Sequence, residues 1–293
     1  MDLFFENRNG EQLDLMQNDW FYLVNQDGQT QANTNISALT IGDLDGDIVT
    51  NVTTQPRPII LTLRIKPTVN VENAKREILK IIKLKQRGML VWTQNDRTLY
   101  ICGIVESIDM PRWNNAVAMQ ISLHCSFPYW ADVEETIQQI NEAIGLHYFT
   151  AHDDYSSPML FFPEDGIALG EYDTTRSRTF YNDGDVAVGM EIEIMALSDV
   201  TNPIIYDDAQ GTFFGVGYGT KQVELHAGDF IHINTNRGQL SVTKNGTTNL
   251  INYIVPRSTW LKLQTGLNTF RIDSADQSTD NMTFFLSYRR CFV

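Results

Sequence analysis

Two histidines six residues apart, His226 and His232, lie in the stretch HAGDFIHINTNRGQLSVTKNG with Asn234 and Arg237 close behind. Imidazoles, an amide and a guanidinium in one segment could hold a metal ion or hydrogen-bond a sugar. A tetrahedral zinc site needs a third ligand, usually a fourth, at workable spacing. None follows here, and the Ala227-Gly228 turn puts the two histidines on separate sides of a bend, so no metal is expected. Alternation in DFIHINT sends Phe230, His232 and Asn234 to one face and Ile231 and Ile233 to the other. Arg237-Gly238 and Asn245-Gly246 then read as turns, and the stretch becomes part of an antiparallel meander with an apolar inner face.

Other chemistry-bearing residues point the same way. Asp43–Asp47 (DLDGD) opens like a calcium loop, but its twelfth position is Thr54 rather than Glu, and Asp45-Gly46 is a hairpin turn. The run GVGYG (Gly215–Gly219) lacks the spacing of a phosphate cradle. The carboxylate pairs Asp153-Asp154 and Asp207-Asp208 lie in loops, without the apolar cover that raises the pKa of a general acid. HExxH, GxSxG and P-loop motifs are absent. The expectation is therefore a protein without catalysis, cofactor or metal.

The elements that position these residues fall into two groups. The first half reads as short strands with hairpin turns at Asn9-Gly10 and Asp45-Gly46, and a well-buried strand at Pro58–Ile65. One helix interrupts, with Val71, Ala74, Ile78, Ile81 and Ile82 on one stripe, Asn70 to cap it and Gly88 to end it. It carries Lys75, Arg76, Lys80, Lys83, Lys85 and Arg87 against Glu77 alone, either a solvated face or one that meets an acidic partner. A three-strand meander over Leu99–Cys125 completes an α+β domain. The run ADVEETIQQINEAIG suggests a second helix, with an Asp132/Glu135 capping box and a stripe of Val133, Ile137, Ile140 and Ile144. A junction helix over 132–147 divides the chain into 1–131 and 132–293. Beyond it, turn signals every 8–12 residues or so indicate an antiparallel β-sandwich, so the whole is mainly β.

Charge is uneven. Residues 1–130 hold 12 Lys/Arg and 14 Asp/Glu, whereas residues 131–293 hold 10 and 22. So acidic a half argues against gripping nucleic acid by its phosphates, while it suits a surface that nucleic acid passes without sticking. The three scattered cysteines make no disulfide framework and point to a reducing compartment. The N-terminal MDLFFENRNG does not read as a secretory signal, and no apolar run nears the roughly 18 residues a membrane span needs.

His232-x-Asn234 followed by Arg237 resembles the His-x-Asn-Pro-Arg strand of galectins, with Trp260 the sole tryptophan available for stacking in this half. Arg237 is displaced by one residue, and the galectin Trp-Gly-x-Glu segment is missing. His232, Asn234 and Trp260 are the candidate carbohydrate residues; a plain structural hairpin is the competing reading.

Across nearly its whole length the chain resembles the distal tail proteins of long-tailed, non-contractile bacteriophages. The residues that carry the likeness are RPIILTLRI, the amphipathic helix, YICGIVESI, and the close at Cys125, Pro128, Tyr129 and Trp130. In the second half YNDGDVAVGMEIEI, LHAGDFIHINTNRGQLSV and LKLQTGLNTFRI resemble the family's galectin-like C-terminal sandwich. The resemblance implies a hexameric ring at the virion tail tip, built in the host cytoplasm. It implies a tail tube protein on one side, hub and receptor-binding fibre proteins on the other, and DNA crossing the channel. A carbohydrate-binding adsorption module is the alternative. Ring contacts need complementary edges, and Ile59, Leu61, Leu63, Ile65, Ile101 and Ile104 are the residues expected to supply them.

Overall fold

The computed structural model describes residues 2–29, 32–42, 45–95, 97–110, 112–113, 116–139, 143–144, 171–172, 177–275 and 281–293. They form two units: Met1–Glu135 with Gly184–Val186 and Arg289–Val293, and Thr136–Asp183 with Ala187–Tyr288.

The first unit contains β1 (Asp2–Asn7), β2 (Gln12–Asp14), β3 (Phe21–Asp27), β4 (Thr34–Leu39), β5 (Ile48–Thr54), β6 (Arg57–Ile65), α1 (Val71–Ile81), β7 (Arg87–Gln94), β8 (Arg97–Asp109), β9 (Arg112–Trp113), β10 (Ala116–Cys125) and β11 (Trp130–Asp132). Its main sheet runs β2-β1-β7-β8-β10-β6-β3 with antiparallel neighbours. Alternation in β6 is strict, with Ile59, Leu61, Leu63 and Ile65 buried. They meet Leu3, Phe5, Ile78, Ile101 and Ile121 in one core, where each buried aliphatic side chain contributes roughly 1.5–3 kcal/mol.

This burial corrects the expected ring contacts. β6 has β10 on one side and β3 on the other, and β8 lies between β7 and β10, so neither offers a free edge. Ile59, Leu61, Leu63, Ile65 and Ile101 are core residues, and Ile104 is half-buried. A run of alternating aliphatics marks a two-sided central strand as readily as an interface.

Asn70 caps α1 as expected, its side chain accepting from the N–H groups of Glu72 and Asn73 at 2.9 and 3.2 Å. The helix ends at Ile81, however, well before Gly88. Ile82 turns extended, Lys85 takes a positive φ of 63°, and the Lys85 N–H bonds the Val105 carbonyl, so residues 83–87 form a turn into β7. Gly88 lies inside β7, where a Cβ would stand 2.2 Å from the Phe5 ring. Its lack of a side chain serves the core.

The second unit contains β12 (Thr136–Gln139), β13 (Ala143–Ile144), β14 (Glu171–Tyr172), β15 (Ser177–Asn182), β16 (Glu191–Ala196), β17 (Val200–Thr201), β18 (Pro203–Asp207), β19 (Thr212–Gly215), β20 (Glu224–Leu225), β21 (Phe230–Asn234), β22 (Ser241–Lys244), β23 (Thr248–Asn249), β24 (Gly266–Ser274) and β25 (Met282–Tyr288). One sheet runs β12-β25-β16-β21-β22-β23 and another β15-β24-β18-β19. Phe180 of β15 lies 5.8 Å from Phe270 in its own sheet and 6.2 Å from Phe284 in the other, centroid to centroid. The two sheets therefore close an antiparallel β-sandwich over an aromatic centre. The final strand, β26 (Cys291–Phe292), belongs to the first unit, where it pairs with β11.

The junction helix is not formed. Residues 130–132 and 136–139 are β11 and β12, which pair with β8 and β26 and with β25. Asp132 does not cap a helix. Its carboxylate lies 2.6 Å from the Arg290 guanidinium, and its N–H donates to the Arg290 carbonyl. β-branched Val133, Thr136 and Ile137 accept extended backbone readily, and long-range pairing overrides the local helical spacing. Ile140 and Gly145 lie outside the described residues.

Candidate functional site

The histidine stretch forms the meander expected of it. Ile231 and Ile233 are buried, and His232 and Asn234 take the opposite face of β21. His232 Nε2 lies 3.6 Å from Glu191, and the Asn234 amide donates to the same carboxylate at 2.8 Å. The Asn234 oxygen accepts from the Asn236 N–H, so both ends of its amide are engaged within the fold. Trp260 is placed elsewhere, tilted on Phe214 with ring centroids 4.9 Å apart. The structure thus gathers two of the three candidate sugar residues around a carboxylate and leaves the third apart.

His226 pairs with Asp199 through Nδ1 at 2.9 Å, and that hydrogen bond raises the imidazole pKa. Asp229 accepts from Lys244, from the His226 N–H and from Asn245, which hold its carboxyl well below the usual range. These bonds tie the turn at Ala227-Gly228 to the one at Asn245-Gly246. Asp207 is similarly structural, accepting from the N–H groups of Ala209 and Gln210, while Asp208 pairs with Arg271 at 3.3 Å. Among the described residues no three His, Cys, Asp or Glu side chains group as metal ligands. Asp153 and Asp154 lie outside those residues.

A different feature of the first unit stands out. Among the described residues β4 and β5 pair only with each other, and every residue of both strands is exposed. The register places Ile36 opposite Val52, then shifts between Ser37 and Ala38, so that Ala38 faces Val49. A β-bulge of this kind resets the alternation by one residue. It brings Val49 to the same side as Val52, with Ile36 and Ala38, and leaves Asn35, Ser37, Asn51 and Thr53 on the other, where Leu39 and Ile48 join them beyond the bulge. Thr50, the extra residue, fixes the bulge by donating its hydroxyl to the Ser37 carbonyl at 2.9 Å. The product is a ribbon with apolar side chains in water on both faces, Ile36, Val49 and Val52 on one and Leu39 and Ile48 on the other. Ile36, Val49 and Val52 are 61%, 52% and 56% exposed. Two strands alone are marginal in water, and a patch of this kind marks an interaction surface.

The neck of this ribbon is held firmly. Gln55 donates to the Asn33 carbonyl at 2.7 Å and the Thr54 hydroxyl bonds the Tyr129 hydroxyl at 2.9 Å. The Gln29 carbonyl accepts from the buried Arg57 guanidinium at 3.0 Å and from the Trp130 indole at 3.2 Å. Gly28, at a φ of 83°, lets the chain pass where a Cβ would stand 2.0 Å from the Pro58 carbonyl oxygen. Tyr129 and Trp130, the end of the motif that begins at Cys125, therefore anchor both roots of the ribbon.

The basic residues singled out in the sequence are on the surface as expected. Arg76, Lys80, Lys83, Lys85 and Arg87 are exposed and Lys75 is half-buried. Lys80 pairs with Glu77 at 2.6 Å. Lys83, Lys85 and Arg87 stand on the turn after the helix rather than on its face, with Leu84 exposed among them.

Comparison with known proteins fits this picture. A model of the phage tail protein RIFT-related domain matches residues 8–125, and a model of the siphovirus-type tail component, C-terminal domain, matches residues 183–290. Among solved structures, the Dit protein of phage SPP1 is similar with a TM-score of 0.68 at 11% identity, over 98% of this chain and 98% of that one. It is described as a paradigm of the hub adsorption apparatus in phages that infect Gram-positive bacteria. A chain of the phage P2 baseplate in its activated conformation with Ca gives a TM-score of 0.49 at 11% identity, over 100% of this chain and 99% of that one. No curated protein sequence matches.

Proposed function

The chain belongs to the siphovirus-type phage tail component family, and from that premise we propose that it forms a ring, six copies round, at the distal end of the tail. It is a structural component of the phage tail. In this reading the ring joins the tail tube protein to the hub and receptor-binding proteins, and DNA crosses its channel without specific binding. Its work is docking rather than catalysis.

The observation that carries the reading is the ribbon. A tail protein whose first unit holds an apolar strand pair with no partner of its own needs another chain to cover it. Heterologous contacts, in which one patch meets a different patch on the next copy, generate rings when the rotation closes. The acidic second half suits a conduit that DNA traverses without adhering.

Light scattering coupled to size exclusion, with and without the tail tube protein, tests this directly. Six chains of 33.4 kDa should give a species near about 200 kDa, ring-shaped in electron micrographs. A single chain at every concentration, with the tube protein present, would refute it.

A further inference from the structure

We propose that the β4–β5 ribbon of one copy lies across the Lys83–Arg87 turn of the next copy, its Ile36, Val49 and Val52 face over Leu84 and its acidic tip on the basic side chains. This inference rests on the ring reading above and names its contact.

Charge is the first argument. Residues 28–56 contain no Lys or Arg, and the tip between the two strands carries Asp43, Asp45 and Asp47. Asp45 and Asp47 are exposed. Residues 83–87 hold Lys83, Lys85 and Arg87 in five positions with no acidic residue. One chain thus carries both halves of a matched pair. Opposite patches of this kind steer encounter and fix register between subunits.

Position is the second. Pairing puts Arg87 opposite Ile104, Ile104 opposite His124, and His124 opposite Pro58. The basic turn and the neck of the ribbon therefore stand level at one end of the sheet, three strand spacings apart, or roughly 14 Å. The ribbon continues beyond its neck for six to seven residues a strand, about 20 Å more. Its own copy does not cover it, since both strands are exposed along their length. Each copy in a ring carries both patches, so one ribbon-to-turn contact repeated between successive copies would close it.

Surface chemistry is the third. Ile36, Ala38, Val49 and Val52 need an apolar counterpart. Leu84 is 56% exposed, and the aliphatic stems of Lys83 and Lys85 flank it in sequence. Lysine stems cover apolar surface while their ammonium groups stay hydrated. Such a contact excludes water at its centre and pairs charges at its rim.

Charge reversal and swap in the full-length chain provide the test. Asp45→Lys with Asp47→Lys, or Lys83→Asp with Lys85→Asp, should each weaken self-association by roughly tenfold or more. The four changes together should restore it. Circular dichroism melts taken at dilutions where the chain is unassociated should not move, because all four side chains are exposed. Carbodiimide coupling in a mixture of unlabelled and nitrogen-15 chains should join Asp45 or Asp47 of one isotope to Lys83 or Lys85 of the other. If the wild type forms rings that the reversals leave intact, or the couplings form only within one chain, the docking proposal is wrong and the ring reading stands. If the wild type stays a single chain even with the tail tube protein, both fall.

Discussion

β6 and the β4–β5 ribbon are neighbours in sequence and both carry a series of aliphatic side chains, yet these meet water in opposite ways. Ile59, Leu61 and Leu63 are fully buried, while Ile36 and Val52 are 61% and 56% exposed. What separates them is partnership. β6 has a strand on each side and a core beneath, whereas each ribbon strand has only the other. The aliphatic residues of β6 hold the unit together, whereas those of the ribbon are exposed to water with no strand beside them among the described residues. Interface strands and core strands are written in the same alphabet.

The comparison breaks most cleanly by truncation. Leu61→Ala should destabilise the first unit by about 2–5 kcal/mol in urea unfolding, from lost burial plus a cavity. Ile36→Ala should move the isolated chain by no more than about 0.5 kcal/mol, because its side chain is largely in solvent already. Equal losses at the two positions would mean that the ribbon is core after all. A second contrast sets ion pairs against each other. Arg290 reaches Asp132, whose side chain is 5% exposed, whereas Lys80 and Glu77 are 67% and 38% exposed. Arg290→Ala strands a buried carboxylate and should cost about 2 kcal/mol, at the low end for buried pairs because Arg290 is itself partly solvated. Lys80→Ala should shift the midpoint barely, by about 0.3 kcal/mol.

Thiol labelling sharpens the contrast without any mutation. Burial pushes the thiols of Cys125 and Cys291 up to about 12; partial burial raises that of Cys102 too, against the opposing pull of Arg87, but its side chain is exposed on β8 and open to reagent. The thiolate is the reactive form. Iodoacetamide at pH 8 should therefore modify Cys102 alone in the folded protein, and all three cysteines after urea. Rapid labelling of Cys291 in native buffer would show that β26 leaves its sheet readily.

Much of this was legible in the sequence. Turn dipeptides placed the hairpins, with Gly10, Gly46, Gly238 and Gly246 all at positive φ. Alternation sorted Ile231 and Ile233 from His232, and the cap at Asn70 started the helix. The misses have one physical cause. Periodicity reports which residues share a face but not what lies opposite that face. It rightly read Pro58–Ile65 as a well-buried strand, to which the implied ring then added contacts, and it drew a helix through residues that ladder with β25 and β26. The ribbon was legible as a hairpin from Asp45-Gly46, but its solitude was not, because exposure depends on the rest of the fold. The close at Cys125, Pro128, Tyr129 and Trp130 was noticed only as a family likeness. Its mechanical purpose, gripping Gln29 and Thr54, spans up to 101 residues and leaves no local trace.

The pairing of β26 with β11 has a consequence for biosynthesis. Residues 289–293 leave the ribosome only after all of residues 136–288 have been made, so the first unit waits for its last strand until the second unit has been translated. A nascent chain cut short before that point keeps β11 without β26, and Asp132 without its cation. Completion of the first unit's sheet is thereby tied to translation of the second unit, which lies between its strands in sequence.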